Sequence, residues 1–267
     1  MRTAAFLLVL AALPGAARAG ETACWFEAGV VVAPAEVLGV AGDYVFDTGA
    51  PHTLLADTPA QGAGLSETAL RGRVRVAGLD LADQPVAVAK LDARFAKLPT
   101  PVAGVIGADL LAPYVVEVRF SPCRLSVEPP GGRDSGRWET TLPLSWAGGR
   151  PTVPATVSDG PRARAGAFAP STGSDAAVRL GDDLAGVPGA AKPEALYPYG
   201  AARARLRALA FAGSLFENLP GGLLPRDAAA GEIGGPVLSR FRLRFDFPAG
   251  RLQLSHEKGP PDRAGGP

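Results

Sequence analysis

Ile106-Gly107-Ala108-Asp109-Leu110-Leu111, followed by Tyr114, by Val116, Val118 and Phe120, and by Arg124-Leu125-Ser126-Val127, is a pattern that this chain contains twice. The second copy is Ile233-Gly234-Gly235-Pro236-Val237-Leu238, followed by Phe241, by Leu243, Phe245 and Phe247, and by Arg251-Leu252-Gln253-Leu254. The 22 positions align without a gap at an offset of 127, and six are identical. Each copy predicts a short apolar turn-helix after the Ile-Gly pair. A strand with period-2 alternation, a tight turn and a second short strand follow. The turns, Ser121-Pro122-Cys123 and Pro248-Ala249-Gly250, have the residue types that reverse a chain. Self-similarity of this kind marks a tandem β-rich architecture.

A second pair of segments works outward from the first. Tyr44-Val45-Phe46-Asp47-Thr48-Gly49-Ala50 precedes the first Ile-Gly element, and Ala167-Phe168-Ala169-Pro170-Ser171-Thr172-Gly173-Ser174 precedes the second. Their offset is 124, and a three-residue loop difference accounts for the change. The chain therefore divides into a first lobe over 24–128, a linker over 129–137 that contains Pro129-Pro130-Gly131, a second lobe over 138–257 and a Gly/Pro-rich polar tail over 258–267.

Phe46-Asp47-Thr48-Gly49-Ala50 resembles the active-site loop of the pepsin/retropepsin-like aspartic peptidases. Val105-Ile106-Gly107 resembles their second signature, an apolar pair before glycine, and it lies about 60 residues further on. With both elements repeated, the resemblance covers nearly the whole chain after its leader. It is greatest to bacterial exported retropepsin-like proteins with two fused lobes. The resemblance implies an all-β fold of two tandem closed β-barrel lobes related by a pseudo-two-fold axis. It also implies a monomer that is an internal pseudo-dimer, a peptide or protein substrate, and neither cofactor nor metal.

In such enzymes two carboxylates about 3 Å apart share one proton. One takes a proton from the attacking water and the other donates to the developing oxyanion. The resemblance places Asp47 at the first catalytic position, with Thr48 and Gly49 as loop support and with Ile106 and Gly107 packed beneath. Thr172, Gly173, Ile233 and Gly234 are their counterparts in the second lobe. The second catalytic position holds Ser171, and a hydroxyl cannot share a proton as a carboxylic acid does. Three readings stay open: a hydrolase that works with one aspartate, a pseudo-peptidase that binds extended peptides without cutting them, and a pair of chains joining two copies of Asp47. The fused second lobe already occupies the interface that the third would need.

Other residues give weaker signals. An ordinary turn aspartate is the bland alternative for Asp47. His52 reads as loop packing, and Asp109 and Asp175 as local caps. With His256 the only other histidine, neither a Ser-His-Asp triad nor a His-rich metal site can be assembled. Arg73 to Leu79 alternates and can pair with Val86-Ala87-Val88, either as a hairpin over the cleft or as plain sheet.

Composition and termini bound the rest. Of the 267 residues 47% are hydrophobic, enough for a real core. A net charge of +1 gives no basis for nucleic-acid binding. Arg2, the apolar run Ala4 to Leu13 and Ala17-Arg18-Ala19 predict a signal peptide over 1–19 and export to the periplasm or beyond. Glu21-Thr22-Ala23 before Cys24 fits a lipid-attachment site poorly, and no later segment is apolar enough to span a membrane. Export and an even cysteine count predict a Cys24–Cys123 disulfide, with two buried thiols as the alternative.

Overall fold

A computed structural model describes residues 20–131, 136–158, 163–181, 194–196, 201–203, 205–224 and 229–257. The signal-peptide segment 1–19, the centre of the linker at 132–135 and the tail from 258 lie outside the described residues.

The fold is nearly all β, as the two repeated patterns dictate. In the first lobe six strands close into a barrel in the order Val30–Val37, Val40–Phe46, Gly104–Ile106, Leu54–Ala56, Leu79–Ala89 and Ala69–Val76. The last strand returns to the first through Ala35↔Val76 and Val37↔Val74. The second lobe repeats the circuit with Arg150–Ser158, Ala163–Ser171, Gly231–Gly234, Val178–Leu180, Ser214–Leu223 and Arg205–Phe211. It closes through Thr156↔Ala210. Parallel and antiparallel pairings alternate identically in the two circuits: Val40–Phe46 runs parallel to Gly104–Ile106, and Ala163–Ser171 runs parallel to Gly231–Gly234. The expected turn-helices follow at Ala108–Leu111 and Gly235–Leu238.

Below the barrels the repeated strand pairs merge into one antiparallel sheet. Its order is Gly20–Ala23, Cys123–Glu128, Val115–Phe120, Phe241–Asp246, Arg251–His256 and Thr140–Pro143. Its two central strands are each other's repeat counterparts, in the register Val118↔Leu243, Glu117↔Arg244 and Val116↔Phe245. Glu117 and Arg244 are themselves 127 residues apart, so the pseudo-two-fold axis passes through that pair. Val116, Val118, Leu125, Leu243, Phe245, Leu252 and Leu254 are fully buried and join both lobes in one apolar cluster with Phe46, Phe168 and Phe241. Burying each such side chain contributes about 1.5–3 kcal/mol, so the lobes share a core as well as a sheet. Cys24 and Cys123 form a disulfide with an S–S distance of 2.03 Å.

The hairpin left open by the sequence is barrel wall. Ala69–Val76 pairs with Leu79–Ala89 along its whole length, and its Ala77-Gly78 turn lies against Gly20 of the basal sheet. The turn end of the hairpin is thus committed twice, to barrel closure through Val74 and Val76 and to the base through Ala77-Gly78. Among the described residues no helix is long and apolar enough to cross a membrane.

Candidate functional site

The parallel pairing in each lobe delivers an x-Thr-Gly loop to the pseudo-two-fold axis. Phe46 pairs with Ile106, and the Asp47 N–H donates to the Ile106 carbonyl at 3.0 Å. Ser171 sits opposite Gly234 in the matching position. The loops then lock across the axis. The Thr48 hydroxyl donates to the Pro170 carbonyl at 2.7 Å, and the Thr172 hydroxyl donates to the Phe46 carbonyl at 2.5 Å. Each hydroxyl also accepts the other threonine's backbone N–H, at 3.1 and 3.3 Å. Approach this close requires glycine. A Cβ at Gly49 would lie 2.6 Å from Ser171 Cβ, and one at Gly173 would lie 2.6 Å from Asp47 Cγ.

Asp47 is buried at the centre of this lock. Its Oδ1 accepts from the Gly49 N–H at 2.9 Å and from the Ser171 hydroxyl at 2.7 Å. Its Oδ2 accepts from Arg94 Nη2 at 2.7 Å. Burial pushes the Asp47 pKa up. Arg94, the Ser171 hydroxyl, the Gly49 N–H and Arg150 together outweigh burial, and the carboxyl is held below the ordinary carboxylate range. Asp47 is therefore an anion whose two oxygens are both engaged. Ser171 points its single proton at that anion and has none left for an oxyanion.

Arg94 comes from the segment between strands Leu79–Ala89 and Gly104–Ile106, on the one-turn helix Asp92–Phe95. Buried Leu91 and Phe95 flank it and pack with Val30, Val32, Val45 and Val105, which fixes the helix on the first lobe. The guanidinium carbon lies 4.9 Å from the Phe95 ring centroid. Three residues on, Lys97 crosses to the second lobe and meets Asp175 at 2.7 Å, which also holds Arg179 at 2.8 Å. Asp175 is thus a cross-lobe ion-pair partner, through a lysine 78 residues away in sequence, as well as a local partner of Arg179.

The second lobe differs from the first at the matching depth. By register Val105 pairs with Val45 and Leu54, and Glu232 pairs with Ala169 and Arg179. Glu232 therefore takes the place of Val105, and Arg179 that of Leu54. Arg150 occupies the position of Val30. Arg150 and Glu232 are both buried and form a short ion pair, and Arg150 Nε donates to the Gly49 carbonyl at 2.7 Å. A guanidinium of the second lobe thus braces the Asp47 loop from beneath.

The remaining predicted residues are placed as follows. Ile106 and Ile233 are buried under the loops. The Gly107 N–H donates to Thr53 Oγ1, and Thr53 donates to Asp109 through its hydroxyl at 2.8 Å and its N–H at 3.0 Å. Asp109 also caps the Leu110 N–H at 2.8 Å, so it is structural. His52 is exposed, 3.9 Å from Asp109. Sequence reasoning missed Arg94, Arg150 and Glu232. Only Glu232 left a local trace, as a charge where the first repeat has an apolar residue. Among the described residues no cluster of His, Cys, Asp or Glu could hold a metal.

Solved structures share this architecture, among them the two that follow. The aspartic proteinase from Irpex lacteus matches with a TM-score of 0.51 at 15% identity, covering 90% of this chain and 97% of that one. The chain has the pepsin-like fold. Basic 7S globulin from soybean matches with a TM-score of 0.52 at 12% identity, covering 89% and 94%. No family model and no curated protein matches the sequence. Within this pepsin-like frame the two loop positions at the axis hold Asp47 and Ser171, and a guanidinium is bonded to the one carboxylate present.

Proposed function

We propose that this chain is an exported pseudo-peptidase, which binds extended peptides between its lobes and does not hydrolyse them. The observation that carries this reading is the state of Asp47. Its carboxylate is ionised, saturated by Ser171, Gly49 and Arg94, and has no second carboxyl with which to share a proton. A base held below the ordinary carboxylate range draws a proton from water weakly, and the acid half of the mechanism is missing. The two-lobed architecture with its locked threonine loops supports the binding half of this reading. The leader motif at 1–19 supports export, and a periplasmic product starting near Gly20 is the matching N-terminal sequence.

The test is proteolysis of unfolded casein over pH 2–8 by the wild type, Asp47→Ala, and Ser171→Asp combined with Arg94→Gln. The wild type is expected to be inert, and the double variant to gain acid-optimum cleavage because it has a second carboxyl and lacks the capping cation. Wild-type cleavage that Asp47→Ala abolishes would instead establish hydrolysis by a single aspartate.

A further inference from the structure

Arg94 does more than cap Asp47. Its guanidinium carries five N–H groups, and one is used, by Nη2 on Asp47 Oδ2. The other four meet no protein acceptor among the described residues. The side chain is 37% exposed, whereas that of Asp47 beneath it is 2% exposed. The guanidinium thus has one side closed by the buried Asp47 carboxylate and stays partly open to solvent. It is also held in place. Leu91 and Phe95 are buried on either side of it, and its plane is supported by the Phe95 ring. A planar fork whose position is already fixed suits a second carboxylate, because little side-chain freedom is lost on binding. The surrounding ion pairs bring four cations, Arg94, Lys97, Arg150 and Arg179, together with the carboxylates of Asp47, Asp175 and Glu232.

We infer that the cleft is a carboxylate-reading site: Arg94 receives a carboxylate of the bound peptide on its open side while Asp47 holds it from below. This rests on the peptide-binding reading above. The carboxylate is either the peptide's C-terminus or an Asp or Glu side chain, and both offer the same two oxygens to the same fork.

The experiment uses biotinylated random decapeptide pools of four kinds, with a free or an amidated C-terminus and with or without Asp and Glu. Retention on the immobilised full chain is read by mass spectrometry. The amidated pool without acidic residues is expected to be retained at least tenfold less than the others. The free-acid pool without Asp or Glu and the amidated pool with them separate the two carboxylate sources. In Arg94→Gln all pools should bind alike, and in Arg94→Lys part of the preference should return; thermal melts of both variants confirm folding. Equal retention of all four pools by the wild type, or a preference that survives Arg94→Gln, overturns the carboxylate site while leaving peptide binding intact. Retention of no pool, or recovery of cut peptides, overturns the peptide-binding reading and this inference with it.

Discussion

Arg94 Nη2 lies 2.7 Å from Asp47 Oδ2, and this contact joins the solvent-facing segment of the first lobe to the buried centre of the molecule. Its removal should be visible in the titration of Asp47. The folded-state pKa of Asp47 lies below the unfolded value, so its contribution to stability is complete above the ordinary carboxylate range. That contribution is lost as pH falls through the folded value. In Arg94→Gln the pKa should rise and the acid limb of the stability profile should move to higher pH. The cost at pH 7 should be about 1–2 kcal/mol, below the ~3–5 kcal/mol of a fully buried pair because Arg94 is partly exposed. Carboxyl carbon NMR of Asp47 and urea melts between pH 3 and 7 check both parts.

Ser171→Ala removes the hydroxyl that donates to Asp47 Oδ1 and leaves that oxygen with the Gly49 N–H alone. A hydrogen bond to a charged group contributes about 1.5–3 kcal/mol. A loss of that size by chemical denaturation, with an upward shift of the Asp47 pKa, is the expected result. An unchanged Asp47 titration would show that the hydroxyl points elsewhere in solution.

The recurring pattern made the two lobes and the strand pair that ends each of them legible, because each unit is contiguous and its alternation survives divergence; that the two strand pairs merge into one sheet was not read from it. The meeting of Asp47 with Ser171 was legible for the same reason, as matching loops on matching strands must meet at the axis. Arg94 was not legible. It bonds to a residue 47 positions away from an ordinary one-turn helix with no local signature. Glu232 was visible as a charge in an apolar slot, but its partner Arg150 lies 82 positions away. The hairpin over Ala69–Val76 and Leu79–Ala89 was ambiguous because period-2 alternation is the same in a barrel wall and in an overhanging flap.

Glu232→Ala should be among the most damaging single changes. It removes the buried carboxylate that faces the Arg150 guanidinium, at a cost of about 3–5 kcal/mol. A combined Arg150→Val and Glu232→Val variant, which copies the first lobe at both positions, should recover most of that stability. Denaturant midpoints of the three proteins make the comparison, and a double variant weaker than Glu232→Ala would contradict it.

Thr48→Val and Thr172→Val each remove one cross-axis hydroxyl. Each single change should cost about 0.5–1.5 kcal/mol from its own bond. Because each hydroxyl also accepts the other threonine's N–H, the two effects should not add, with a coupling of about 0.5 kcal/mol or more. A double-mutant cycle in guanidinium measures it.

The Cys24–Cys123 bridge spans a sequence separation of 99 and ties the start of the described chain to the basal hairpin. Replacing both cysteines by serine should cost about 2–4 kcal/mol. Protein purified without reductant should show no reactive thiol when denatured, and two thiols per chain would remove the bridge from solution.

The Glu117↔Arg244 register pair also bears on how the halves recognise each other. Each central strand lies against its own duplicate, so in an ancestor with identical halves this crossing would have paired a residue with itself. With glutamate on one copy and arginine on the other, the chain places opposite signs in register at this crossing. Two first lobes from different molecules would instead oppose glutamate to glutamate, and two second lobes arginine to arginine, and like charges directly across a strand pair are destabilising. The two halves therefore differ in sign at the position where each strand meets its duplicate. An exchange of halves between molecules, bringing two copies of Asp47 face to face, would set like charges against each other at this crossing.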